Sequence, residues 1–212
     1  MKNEILFNDL KVSQILTQNS KLKKTSKENN KRVFNFGISA YKTSKGKLVC
    51  PFADSCVKFC YAQKGAYTWG NVAPIYEKRY NLTQSDEFIK AINYSLKAKK
   101  VDILRIHDSG DFYSKKYINK WLTIAKENKN IIFYAYTKSI PLFIDILDKL
   151  PDNFKIIFSE GSKVDNLIDV KKHRHARIFK SEKDLIDARY SNASKNDLIA
   201  IGNNKKIGLI YH

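Results

Sequence analysis

Residues 101–137 read VDILRIHDSGDFYSKKYINKWLTIAKENKNIIFYAYT and carry one complete strand–helix–strand unit. Two apolar runs, DILRIH (102–107) and IIFYAYT (131–137), flank a segment in which Tyr117, Trp121 and Ile124 share one helical face behind Ser114, a residue type that caps helix N-termini. The second run is apolar enough to be buried on both sides, as a parallel strand is when helices cover the sheet. Two such strands joined through a helix predict a parallel pair with a right-handed crossover.

The same alternation extends in both directions. Upstream, VFNFGIS (33–39) reads as a strand, and Thr83-Gln84-Ser85-Asp86 offers a capping box ahead of a helix carrying Phe88, Ile92 and Leu96. Downstream, a helix after Pro141 leads to the strand FKIIFS (154–159), and a short helix over 163–169 leads to HARIFK (175–180). Ser181-Glu182-Lys183-Asp184 caps a further helix, and LIAIG (198–202) with KIGLIY (206–211) closes the chain as a hairpin. The pattern predicts an α/β protein, a partial (β/α) barrel of about six mainly parallel strands, with a doubly wound sheet as the competing topology. In either case ligands sit at the carboxyl ends of the strands. Residues 33–212 are expected to form a single α/β domain. Residues 1–32, with the basic run KLKKTSKENNKR (21–32), are expected to form a flexible arm.

Composition narrows the class. The 212 residues include 39 Lys+Arg against 21 Asp+Glu, a formal charge of +18. A/T-rich codon usage and selection for a polyanionic partner, DNA or RNA, both account for that excess. The densest basic run of the ordered part contains Lys171, Lys172, Arg174 and Arg177, a phosphate-binding patch or a solvated turn. No run approaches the roughly 20 apolar residues of a membrane span, and the start MKNEILFNDLKVSQ lacks the apolar stretch of a secretory signal. A cytoplasmic protein without a membrane partner is expected.

All three cysteines, Cys50, Cys56 and Cys60, lie in the loop LVCPFADSCVKFCYAQKG with the spacing C-x5-C-x3-C. Three readings are open. The thiols could be ordinary buried cysteines. They could bind zinc with a fourth ligand among His107, His173 and His175. They could hold three irons of a [4Fe-4S] cluster, leaving the fourth open to a small molecule. Other polar groups fall at strand ends. Asp108, Ser109, Gly110 and Asp111 follow one strand and could receive an ammonium group, or form a helix-capping loop. Ser159 and Glu160 follow another and could meet ribose hydroxyls, or serve as caps. Tyr61, Tyr67, Trp69 and Tyr76 could stack bases or form a lid.

CPFADSCVKFCYAQKG, together with Tyr80-Asn81, RIHDSGDFYS and YAYTKS, resembles the phage and mobile-element family called gene product 88, over about Val33 to Ser162. The chain is also similar, more weakly, to radical S-adenosylmethionine (SAM) enzymes. Those carry a cysteine loop ending in an aromatic-Cys pair after the first barrel strand, and a Gly-rich segment after the second that binds the methionine amino group. Phe59-Cys60 and Ser109-Gly110-Asp111 occupy those places here, although C-x5-C-x3-C departs from the C-x3-C-x2-C spacing of that group. The resemblance implies a radical-SAM-like barrel with a [4Fe-4S] cluster on Cys50, Cys56 and Cys60, and SAM at the open iron. The basic excess adds to that reading the expectation of a phosphate-bearing or nucleic-acid substrate, in the host cytoplasm if the chain is phage-encoded. The alternative is a non-catalytic nucleic-acid-binding protein with a structural zinc or iron–sulfur site.

Overall fold

The structure is a computed structural model and describes residues 5–211, so the first four residues of the expected arm and the last residue of the expected domain lie outside it. Strands β1 (Leu6–Phe7) and β2 (Leu10–Lys11) form a small antiparallel pair, followed by helices α1 (Val12–Ile15) and α2 (Ser20–Asn29). Strand β3 (Val33–Phe36) precedes the cysteine loop, and helices α3 (Ala73–Gln84) and α4 (Phe88–Ala98) lead to β4 (Ile103–Ile106). Then come α5 (Lys115–Glu127), β5 (Ile132–Thr137), α6 (Ile140–Phe143), β6 (Phe154–Ser159), β7 (His175–Phe179) and α7 (Glu182–Asp187). The chain closes with β8 (Ser191–Asn192), α8 (Leu198–Ile201) and β9 (Lys206–Ile210).

The main sheet has the order β3-β4-β5-β6-β7-β9-β8, every neighbouring pair is parallel, and the sheet curls into a half barrel. Strand alternation sorts its residues into two cores. On one face Phe36, Leu104, Ile106, Phe133 and Phe158 pack with Phe88, Ile92, Trp121 and Ile124 from the covering helices. On the other, Val33, Ile103, Tyr134, Ile157 and Ile207 meet Leu22 of α2, Ala200 of α8 and Ala193. The crossover helices identify the first face as convex and the second as the inside of the half barrel. Strand β5 is covered on both faces, as its apolar run predicts.

The partial barrel is observed, with seven strands in place of about six, and four expectations change. The run 21–32 does not form a flexible arm: α2 occupies most of it, because Leu22 and Thr25 alone supply a buried stripe that the surrounding lysines conceal. Thr83-Gln84-Ser85-Asp86 caps no helix; Thr83 lies in the last turn of α3, whose buried face includes the polar Arg79 and Thr83 and so gives a weak apolar period. LIAIG is helical, since a short apolar run fits a buried helical turn as well as a strand, and Asn196 Oδ1 accepts from the Leu198 amide to start that turn. Strand β9 therefore makes no hairpin and pairs parallel with both β7 and β8.

The docking of α2 rests on Leu22, which is fully buried. Leu22→Ala is expected to lower unfolding stability by about 2–5 kcal/mol in urea denaturation, whereas Lys23→Ala, on the exposed face, should change it by less than about 0.5 kcal/mol. Equal, small effects would mean that the helix contributes nothing to the inner core.

Candidate functional site

A cavity of about 550 Å³ opens at the carboxyl end of the strands and is bordered by Cys50, Cys56, Cys60 and the whole segment His107–Asp111. Its cysteine wall is tied down at both ends. The Val49 and Cys50 amides donate to the Tyr41 carbonyl at 2.7 and 3.2 Å. Ala53 pairs with Ser162 in an isolated bridge, the Asp54 amide donates to Gly161 O, and the Lys163 amide donates to Phe52 O. Gly161 takes φ +94°, and a Cβ there would lie 3.1 Å from Ser55 Oγ, so the loop after β6 can approach the cysteine loop closely because this residue has no side chain.

Burial raises the thiol pKa of both Cys50 and Cys56, and the nearby Lys138 ammonium partly counters the effect at Cys56. Cys50 also feels the charge of Cys56 and Cys60, and Cys56 that of Cys60. Among the described residues, no group of three or more His, Cys, Asp or Glu side chains is arranged to hold a metal ion. Of the histidines considered as a fourth ligand, His107 borders the cavity. His173 accepts from the Asp169 amide, and His175 lies against the Tyr190 hydroxyl and the His173 carbonyl.

The two carboxylates after β4 have different surroundings. Asp111 is fully engaged: Oδ1 accepts from Thr137 Oγ1 (2.5 Å) and the Phe112 amide (2.7 Å), and Oδ2 accepts from the Lys138 amide (2.8 Å). It ties the β4 turn to the end of β5. Asp108 Oδ2 accepts from the Tyr67 and Tyr76 hydroxyls at 3.2 and 3.1 Å, while Asp108 Oδ1 is buried without a partner. The Tyr61 hydroxyl donates to the Asp108 carbonyl, and burial pushes that phenol up to about 12. Tyr61, Tyr67 and Tyr76 meet edge to face at 5.7 and 5.4 Å, forming a lid over Asp108, and Trp69 remains exposed. Gly37 makes room for this arrangement, since a Cβ there would collide with Asp108 Oδ1.

Ser159 also borders the cavity and accepts from Lys138 Nζ at 2.8 Å. Glu160 is turned to Arg177, 2.7 Å away. Arg174 donates to the carbonyls of Ala200, Gly202 and Asn204, so its guanidinium closes the end of α8. Of the four residues expected to form a phosphate patch, Lys171, Lys172 and Arg177 are exposed, and Lys172 Nζ lies 3.8 Å from Asp169. Sequence reasoning missed Lys21, Tyr136 and Asp197, which also line the cavity. An open cleft of about 680 Å³ lined by Lys23, Lys27, Lys31 and Arg32 lies on the segment expected to be flexible.

A family model described as Gene product 88 matches residues 11–209. The Gene 88 protein of Mycobacterium phage L5 is 26% identical over 125 residues, covering 52% of this chain and 51% of the relative. The Gene 88 protein of Mycobacterium phage D29 is 24% identical over 122 residues, with the same shares covered. The chain thus spans about half the length of the curated relatives it matches. No solved structure matches it. No helix among the described residues is long and apolar enough to cross a membrane.

His107 supplies a pH test of this end of the barrel. It sits in left-handed backbone (φ 65°), its Nε2 lies 2.9 Å from the Tyr117 hydroxyl, and burial holds its pKa down at about 3. The unfolded chain takes up the proton below about pH 6.5 and the folded chain does not. Stability from this residue is therefore complete above about pH 6.5 and declines as pH falls toward 3. Between about pH 6.5 and 4.5 the loss should approach about 2–3 kcal/mol. His107→Gln should flatten the stability–pH profile in that window relative to the parent; parallel profiles would mean that His107 is protonated in the folded chain.

Proposed function

The chain belongs to the gene product 88 family, and on that premise we propose that it is an iron–sulfur protein whose Cys50, Cys56 and Cys60 hold a [4Fe-4S] cluster in the mouth of the half barrel. The observation that carries this reading is the convergence of every cysteine of the chain on one cavity at the strands' carboxyl end. The donor set suits the group: soft thiolates select iron–sulfur clusters or zinc, and three thiols leave one iron of a cubane open to another ligand. The raised thiol pKa values mean that Cys50 and Cys56 stay protonated until a metal claims them. Holding one cluster would require the three thiols to come together from their places around the cavity.

We extend the proposal to S-adenosylmethionine as the small-molecule partner. When bound, such a cluster supplies one electron to that cofactor. The chain's own residues do the rest. Asp108, with one buried carboxylate oxygen lacking a donor, accepts from the ammonium group; Ser109 and Gly110 border the same space; Ser159 and Lys138 line the next strand ends. Asp111 positions the turn through its three hydrogen bonds. The Tyr61–Tyr67–Tyr76 lid shields that side from water. A phosphate-bearing or nucleic-acid substrate suits the charge of +18 and the lysine-lined cleft over 23–32.

Anaerobic reconstitution with iron and sulfide tests the reading. The expected result is a brown protein with about four irons per chain, an electron-paramagnetic signal on reduction, and loss of most of the iron in each of Cys50→Ser, Cys56→Ser and Cys60→Ser. A colourless, zinc-loaded protein would favour the non-catalytic, nucleic-acid-binding alternative, and unchanged iron content in the three variants would overturn the ligand assignment. In the loaded protein, Asp108→Asn should weaken S-adenosylmethionine binding about tenfold, the loss of one charge-assisted hydrogen bond, without altering iron content.

A further inference from the structure

One wall of the cavity has a chemistry of its own. It rises from the inner face of the half barrel, where Arg105 of β4, Tyr136 of β5, Lys21 of α2 and Asp197 border the space. Asp197 is completely buried and accepts from Lys21 Nζ at 2.5 Å, Arg105 Nη1 at 3.2 Å and the Tyr134 hydroxyl at 2.8 Å. Around the whole cavity the cations Lys21, Arg105 and Lys138 balance the carboxylates Asp108, Asp111 and Asp197 in number. Their partnering is uneven. Asp111 is satisfied by amides and a hydroxyl, and Asp108 Oδ2 by tyrosines, whereas Lys21 and Arg105 share the single carboxylate of Asp197. This wall therefore holds one more positive charge than negative.

Two donors there are also unused. Arg105 Nε and the Tyr136 hydroxyl are buried with no hydrogen-bond partner, and the guanidinium lies over the Tyr136 ring, 5.3 Å from its centroid, so both orphans belong to one small region. Leaving a buried donor unmet is costly, and such groups in folded proteins call for an acceptor. The Nη1 side of Arg105 is fixed on Asp197, which orients the guanidinium and lowers the entropy of a second contact on its Nε side. Arginine so held accepts an oxyanion in preference to a neutral group. Ile178, Leu209 and Ile210 border the same cavity and give the remainder of a ligand an apolar surface.

We infer that the Arg105–Tyr136–Lys21 wall is a binding subsite for one oxyanion, a phosphate ester or a carboxylate, carried by a small molecule that enters the cavity. The site deepens the reading of a phosphate-bearing substrate but uses none of the thiols, so anion binding and cluster assembly can fail separately.

The test titrates the full chain, as purified, with inorganic phosphate at constant ionic strength, followed by phosphorus NMR, and repeats it with acetate as competitor. One saturable phosphate site is expected. Tyr136→Phe, which removes an unpartnered hydroxyl and keeps the ring, should weaken phosphate about fivefold while leaving thermal stability in place. Arg105→Lys, which keeps the charge and loses the Nε donor, should weaken it at least about tenfold. A Lys171→Ala/Lys172→Ala control should bind as the parent does. Displacement of phosphate by acetate assigns the subsite to carboxylates, and lack of displacement assigns it to phosphate esters. Absence of saturable binding in the parent, parental affinity in Tyr136→Phe, or loss of binding in the Lys171/Lys172 control would each overturn the inference. Should Arg105→Lys fail to fold, the Tyr136→Phe titration decides alone.

Discussion

A half barrel has an inner face but no closing strands, so something outside the sheet must fill that face, and here the filling is organised around one buried carboxylate. Asp197 holds Lys21 across 176 residues of sequence, Arg105 across 92 and Tyr134 across 63. Burial by itself would raise its pKa, but Arg105 and Lys21 outweigh burial and leave it below the ordinary carboxylate range. An ion pair of this kind contributes little net stability, because desolvating its members offsets the attraction. Its effect is on arrangement: the N-terminal helix, the central strands and the C-terminal turn must all be in place before the charges are compensated.

The layering of the interior follows from that constraint. Below Asp197 the inner face is apolar, with Val33, Ile103, Tyr134, Ile157 and Ile207 packed on Leu22 and Ala200. Above it, side chains of the same strands turn polar, as Arg105 and Tyr136 do, and the cavity begins. The carboxyl rim then collects groups from loops that the parallel strands place side by side. Within one such loop, Asp108 and Asp111 separate into a carboxylate with an unused oxygen and one consumed by the fold. Charge counting in the sequence cannot make that distinction, since it depends on which oxygen meets which donor.

What was legible in the sequence follows the range of the forces involved. Strands β4, β5 and β6 and helix α5 announce themselves by local periodicity, and Ser114 and Ser181 cap helices where their positions predict. The cysteine loop stands out because no other segment contains a cysteine. Helix α2 was concealed because a single leucine and a threonine bury its inner stripe amid lysines. Asp197 was illegible for a different reason. It lies in the polar stretch SNASKND, without period or motif, and its importance comes entirely from partners that are distant in sequence. Arg105, a charged residue inside the apolar run DILRIH, is the one trace of that pairing in the sequence.

The basic excess can be divided along the same lines. Arg174 is spent on the carbonyls at the end of α8, Arg177 on Glu160, and Lys21 and Arg105 on Asp197. A phosphate reaching the 171–177 run meets three exposed cations, of which Lys172 faces Asp169 and Arg177 faces Glu160. The cleft over 23–32 keeps Lys23 and Lys27 of α2, a helix that the inner core holds in place, together with Lys31 just beyond its end. Long-range attraction depends on total charge, whereas a directed contact depends on cations that the fold has not already paired. By that criterion more of the cations still open to a directed contact lie on and just after α2 than at the histidine-rich turn, and the unpaired edge of Arg105 lies inside the barrel.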